Sequence, residues 1–91
     1  MVERQVTLVN RLGLHARAAA KLVRLASEHS SDIRLYNSKA DKYADARSIL
    51  DLLTLGASFG VTLTVSVEGE DEVAAIDAVS HLFADGFGEL E

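Results

Sequence analysis

Val61-Thr62-Leu63-Thr64-Val65-Ser66-Val67 alternates apolar and hydroxyl side chains without a break. A period of two marks a strand with one face buried and the other in solvent. Such a strand needs a cover on one face. Downstream, Glu68-Gly69-Glu70-Asp71 is a turn signal in which Asp71 can cap a helix, and Ile76, Val79, Leu82 and Phe83 recur at helical spacing until Gly86 and Gly88. Upstream, Ser48 with Asp51 three residues later has the capping-box pattern, ahead of Leu52, Leu53 and Leu55 and a stop at Gly56.

The first half of the chain supplies the partners. Val2, Val6 and Leu8 alternate with Glu3, Gln5 and Thr7 as an opening strand that Asn10 to Gly13 breaks. From Leu14 to His29 the period becomes helical, with Ala18, Leu22 and Leu25 in one apolar row and Ala19, Val23 and Ala26 in the next. Ser30-Ser31-Asp32 turns the chain into a short strand, Ile33 and Leu35 alternating with Arg34 and Tyr36. After the polar stretch Asn37 to Lys42, Tyr43 to Ala46 reads as the returning strand. The order is strand, helix, strand, strand, helix, strand, helix. Because the strands carry polar outer faces, the expected fold is α+β: an antiparallel sheet covered on one side by helices.

Composition bounds the possibilities. Ninety-one residues allow one hydrophobic core, so a single domain over residues 1–91 is expected, and 48% hydrophobic with 25% charged residues is a globular balance. With no cysteine, disulfide scaffolds and thiolate metal sites are excluded. Met1 to Gln5 has no apolar stretch of signal-peptide type, and no eighteen-residue apolar run occurs, so a cytoplasmic protein that does not enter a membrane is expected. A net charge of −5 repels nucleic acid and anionic lipid in general, leaving only a local anion site.

Gly13-Leu14-His15-Ala16-Arg17 is where such a site fits. Helix N-termini favour anions and penalise cations by about 0.3–1 kcal/mol each, yet His15 and Arg17 stand in the first turn and Arg11 just upstream. A bound dianion reverses the sign of each penalty, and phosphate fits that description. A neutral imidazole is also a nucleophile that can carry a phosphoryl group covalently, with Arg17 as a clamp. A plain polar helix start with a solvated Arg17 fits the same residues equally well, and chemistry alone does not choose.

The run Gly13-Leu14-His15-Ala16-Arg17-Ala18-Ala19 resembles the active-site segment of the HPr family, the phosphocarrier proteins of the bacterial phosphoenolpyruvate-dependent phosphotransferase system. Ser48-Ile49-Leu50 followed by Leu55-Gly56 resembles the family's second-helix segment, and Glu68-Gly69-Glu70-Asp71-Glu72 its final turn, so the resemblance spans nearly the whole chain. It implies an open-faced β-sandwich of four antiparallel strands and three helices. It also implies that His15 accepts a phosphoryl group on Nδ1 from phosphorylated Enzyme I and passes it to an Enzyme IIA, in sugar uptake or nitrogen-related regulation. Such a protein is a stoichiometric carrier without a cofactor, expected as a monomer, and not an enzyme. Ala16 and Arg17 would hold the phosphate. Ala18 departs from the proline usual in sugar-transport members, and Ala18-Ala19-Ala20-Lys21-Leu22-Val23 with Leu82-Phe83 and Gly86-Phe87 is more similar to the nitrogen-related branch.

Ser48 is a helix cap on its own terms; by resemblance it occupies the position of a regulatory serine, the target of an HPr kinase/phosphatase. In the short helix, Leu52 and Leu55 are spaced to point inward, leaving Ile49, Leu50 and Leu53 as an outward apolar patch. Arg17, Lys21 and Arg24 recur at i, i+4 and i+7 as a basic stripe, and patch and stripe together are the expected docking surface. His29, at a helix C-terminus, and His81 read as structural. No metal-ligand spacing occurs on one element. Two other functions remain: an acylphosphatase-like hydrolase, and a small regulatory module that only binds an anion.

Overall fold

Leu63, Val65 and Val67 point to the covered face of the strand they define, and the registers on either side show what they meet. The computed structural model describes residues 1–89. Its strands are β1 (Val2–Thr7), β2 (Asp32–Asn37), β3 (Lys42–Asp45) and β4 (Thr62–Glu68); its helices are α1 (Ala16–Ser27), α2 (Ile49–Leu53) and α3 (Glu72–Ala84), followed by a 3-10 turn, Gly86–Gly88. The four strands form one antiparallel sheet in the order β1-β4-β2-β3. This is the expected open-faced, helix-covered α+β architecture.

Opposite residues in an antiparallel ladder share a face. Val2, Val67 and Ile33 therefore form one inner row, and Arg4, Val65, Leu35 and Ala44 the next. The outer face reads Glu3, Ser66, Arg34 and Asp45, then Gln5, Thr64, Tyr36 and Tyr43, polar as the alternation predicts. Arg4 is the exception on the covered side: at the sheet edge it reaches over to α3, its Nη1 donating to Asp77 Oδ1 at 2.8 Å and Ser80 Oγ at 3.2 Å. The core closes with Ala18, Ala19, Leu22 and Ala26 of α1, Leu52 and Leu55, and Ala75, Ile76, Val79 and Phe83 of α3.

Several local readings need correction. α1 begins at Ala16 rather than Leu14, because His15 is extended (φ −83°, ψ −177°) and serves as the cap, and it ends at Ser27, two residues before His29. β3 is Lys42–Asp45 rather than Tyr43–Ala46, and the polar stretch is shorter than read. Asn37 belongs to β2 and is buried, since its side-chain amide donates to Leu55 O at 3.0 Å while its Oδ1 accepts from Lys39 N at 3.2 Å. The capping box at Ser48 is only half made. Ser48 Oγ accepts from Asp51 N at 3.2 Å, but the Asp51 carboxylate accepts from Asp45 N instead of Ser48 N.

Asp71 precedes α3 but makes no side-chain cap there. Its carboxylate turns outward across the fold, accepting from Ser31 Oγ, from Ser31 N at 3.0 Å and from Ser30 N at 3.3 Å, and pairing with His29 Nδ1 at 2.8 Å. His29, read as a dipole partner at its helix end, is part of this clasp. The Ser31 hydroxyl foremost, against the opposing effect of burial, and then His29 and the two amides hold the Asp71 carboxyl well below the usual carboxylate range.

Candidate functional site

His15 sits where the α1 ladder has not yet begun. The amides of Ala16, Arg17 and Ala18 precede the first intrahelical bond, which Ala19 N donates to His15 O at 2.8 Å. Those early donors and the helix dipole make a ready anion cradle. The loop before it is held from two sides. Asn10, buried, donates from Nδ2 to Gly13 O at 2.9 Å, and Leu14 N donates to Ala57 O at 2.9 Å, fastening the turn to the segment that follows α2. Gly13 has φ +61° and lies directly on Ala57 and Ser58, so only glycine fits.

The two ring nitrogens of His15 have different partners. Nδ1 accepts from the backbone N–H of Arg17 at 3.3 Å, and Nε2 lies 2.6 Å from Glu89 Oε2. An accepting Nδ1 carries a lone pair, so the proton belongs on Nε2, where the carboxylate receives it. Both constraints select one tautomer, with Nδ1 as the nucleophilic atom beside the early amides of α1. Glu89 is itself fixed: its Oε1 accepts from Asn10 Nδ2 at 3.0 Å. Burial pushes its carboxyl up, but the hydrogen bonds from Asn10 and His15 with the charge of Arg17 outweigh it, and the net is below the ordinary carboxylate value.

Beside the histidine, Arg11, Leu12, Arg17, Gly88 and Glu89 line an open cleft of about 280 Å³. Two arginines at its walls supply the charge-assisted donors that a phosphoryl group takes.

Sequence reasoning did not find Glu89, which meets His15 from 74 positions away and carries no periodic signal, or Asn10, whose partner Glu89 lies 79 positions away. Of the other expected site residues, Arg17 and Arg24 are exposed on α1, whereas Lys21 is half-buried and donates from Nζ to Phe87 O at 2.6 Å. Lys21 thus fastens the 3-10 turn as well as adding charge. On α2, Ile49, Leu50 and Leu53 are 44, 69 and 46% exposed while Leu52 and Leu55 are buried, the expected division. Leu12 and Phe59 add exposed apolar surface in the two segments that meet at Gly13. His81 lies in a separate groove with Arg4, Asp77 and Ser80, away from His15. Among the described residues no group of three or more His, Asp or Glu could hold a metal ion, and no helix is long and apolar enough to cross a membrane.

The family profile of the PTS HPr component phosphorylation site matches residues 2–85. The chain belongs to the HPr family. A phosphocarrier protein HPr from Cupriavidus necator is 43% identical over 91 residues, covering all of both chains. A phosphocarrier protein NPr from Shewanella violacea is 47% identical over 88 residues, covering 97% of this chain and 94% of its own. The crystal structure of HPr-C-His from Thermoanaerobacter tengcongensis superposes with a TM-score of 0.92 at 41% identity, over the full length of both chains. HPr-family membership accounts for the strand order and for the phosphotransferase-system role read from Gly13 to Ala19, and the NPr similarity agrees with the alanine run after Arg17.

Proposed function

We propose that this HPr-family chain is a stoichiometric phosphoryl carrier that takes a phosphoryl group onto His15 Nδ1 from phosphorylated Enzyme I and delivers it to an Enzyme IIA. The observation that carries the reading is the division of labour on the imidazole: Nε2 bound to Glu89 Oε2 at 2.6 Å, Nδ1 turned to the Arg17 amide at the helix start. The Nδ1 lone pair forms the new N–P bond as the bond between phosphorus and the donor breaks, the electron pair staying with the donor. The phosphoryl oxygens then lie among the Ala16 and Arg17 amides and the Arg17 guanidinium, where charge-assisted hydrogen bonds stabilise them. Delivery reverses these steps. An open cleft suits a group that must be handed on, whereas a hydrolase would need a positioned water.

The remaining assignments rest on the resemblance together with placement. The protein works in the cytoplasm as a monomer and turns over no substrate by itself. Its partners dock on Ile49, Leu50 and Leu53 of α2, with Arg17, Lys21 and Arg24 of α1 supplying positive charge, and Ser48 is the position at which an HPr kinase/phosphatase would act. Incubation with labelled phosphoenolpyruvate and Enzyme I should leave acid-labile, alkali-stable phosphate on the protein, and chase onto an Enzyme IIA. An anion-binding module or an acylphosphatase-like hydrolase would retain none.

A further inference from the structure

Glu89 is held in place by more than its bond to His15. Phe87, the residue before Gly88, takes a left-handed conformation (φ 57°) that crowds the Cβ of a non-glycine residue against the backbone. It is kept there because its ring is buried edge-on against Phe83, with centroids 4.9 Å apart, and because Lys21 Nζ donates to its carbonyl oxygen at 2.6 Å. Gly88 N and Glu89 N close the turn on Asp85 O at 3.1 Å and Gly86 O at 2.9 Å. The carboxylate is then gripped by Asn10 Nδ2 at 3.0 Å, the same amide that holds Gly13 O. A strained, buried turn therefore delivers one carboxylate oxygen to Nε2, the ring nitrogen that does not take phosphate in the function proposed above.

We infer that Glu89 is a positioning residue for phosphoryl transfer, which retains the Nε2 proton of His15 throughout the phosphorylated state so that the ring leaves phosphorus as neutral imidazole. The inference rests on His15 being the carrier. When the N–P bond breaks toward the acceptor, its electron pair returns to Nδ1. With a proton on Nε2 the departing group is neutral imidazole; without it the group is imidazolate, a far stronger base and a poorer leaving group. A carboxylate at hydrogen-bond distance stabilises the cationic phosphorylated ring in which that proton is kept. The other charged groups around the cleft are Arg17 of α1 and Arg11 of the preceding loop, both of which disfavour a cationic ring, and Lys21, which faces Phe87 O. The loop between α2 and β4 that packs on Gly13 carries no ionisable side chain. Glu89 is thus the one carboxylate at this cleft among the described residues.

Glu89→Gln keeps the shape and an acceptor oxygen but removes the charge. In the phosphorylated protein, with histidine nitrogens followed by NMR, Nε2 should lose its proton at a lower pH in Glu89→Gln than in wild type. Delivery to the acceptor should slow relative to wild type most strongly above that lowered pH, with little difference at acid pH where both rings are protonated. A merely structural Glu89 would leave the titration where it is. Phosphate on His15 with unchanged titration and delivery in Glu89→Gln overturns this inference alone; phosphate on another residue of the wild type overturns it together with the carrier assignment.

Discussion

A Cβ on Gly13 would lie 2.7 Å from the carbonyl oxygen of Ala57 and 2.8 Å from Ser58 Cα. Neither atom can swing aside, because Ala57 O also receives Leu14 N at 2.9 Å in the bond that fixes the residue before His15.

Gly13→Ala should therefore combine the left-handed penalty with a backbone clash, and lower stability by about 2 kcal/mol or more. Gly60 has a similar φ of +85° with open space around it, so Gly60→Ala should cost only about 1 kcal/mol. Urea denaturation of the two variants checks the contrast. Equal losses would mean that the Gly13 contact relaxes without cost.

The Asp71 clasp makes an acid-side prediction. Its carboxyl is lowered in the folded protein, chiefly by the Ser31 hydroxyl, so its contribution is complete above the unfolded value of about 3.9 and is lost as pH falls below that. Asp71→Asn should lower Tm at pH 7 by at least about 5 °C and flatten the decline of Tm between pH 4 and pH 2. A variant whose Tm stays parallel to wild type across that range would show that the acid sensitivity arises elsewhere.

The basic stripe on α1 splits into two kinds of residue. Arg24 is exposed, whereas Lys21 is committed to Phe87 O. Arg24→Glu should slow association with Enzyme I and reduce its salt dependence at unchanged Tm, while Lys21→Met should lower Tm as the 3-10 turn loosens. Leu53→Glu, on the exposed side of α2, should weaken transfer to both partners at normal stability. Stopped-flow transfer at several ionic strengths decides it: wild-type rates and salt slopes in both Arg24→Glu and Leu53→Glu would place docking on another face.

Ser48 contributes an N-cap to α2 through the bond from Asp51 N. Ser48→Ala should cost about 1 kcal/mol with transfer retained. Ser48→Asp keeps a cap but adds a negative charge beside the exposed Ile49 and Leu50, and should depress transfer from Enzyme I at near-normal Tm. Equal transfer at equal stability would leave Ser48 as a cap only.

What could be read in the chain followed from periodicity. The alternation from Val61 to Val67 and the rows of α1 specify faces, and faces specify layers, so the strand and helix order and the inward pair Leu52 and Leu55 were legible. Arg17 stands out in the sequence because a cation at a helix start contradicts the local electrostatics. Contacts made by single side chains across the fold were not. Asp71 looks like a cap from its neighbours, yet Ser31, forty residues away, claims its carboxylate. Glu89 reaches His15 and Asn10 only because the 3-10 turn doubles back, and Phe87 in a left-handed conformation has no sequence signal beyond its flanking glycines.

The proposed function places the phosphoryl group on one ring nitrogen of one histidine. Phosphorus-31 and nitrogen-15 NMR of the protein after incubation with phosphoenolpyruvate and Enzyme I should show a single phosphohistidine, coupled through Nδ1 of His15, that is absent from His15→Ala although that variant remains folded. A phosphorus signal on His29 or His81, on Nε2 of His15, or persisting in His15→Ala would contradict it.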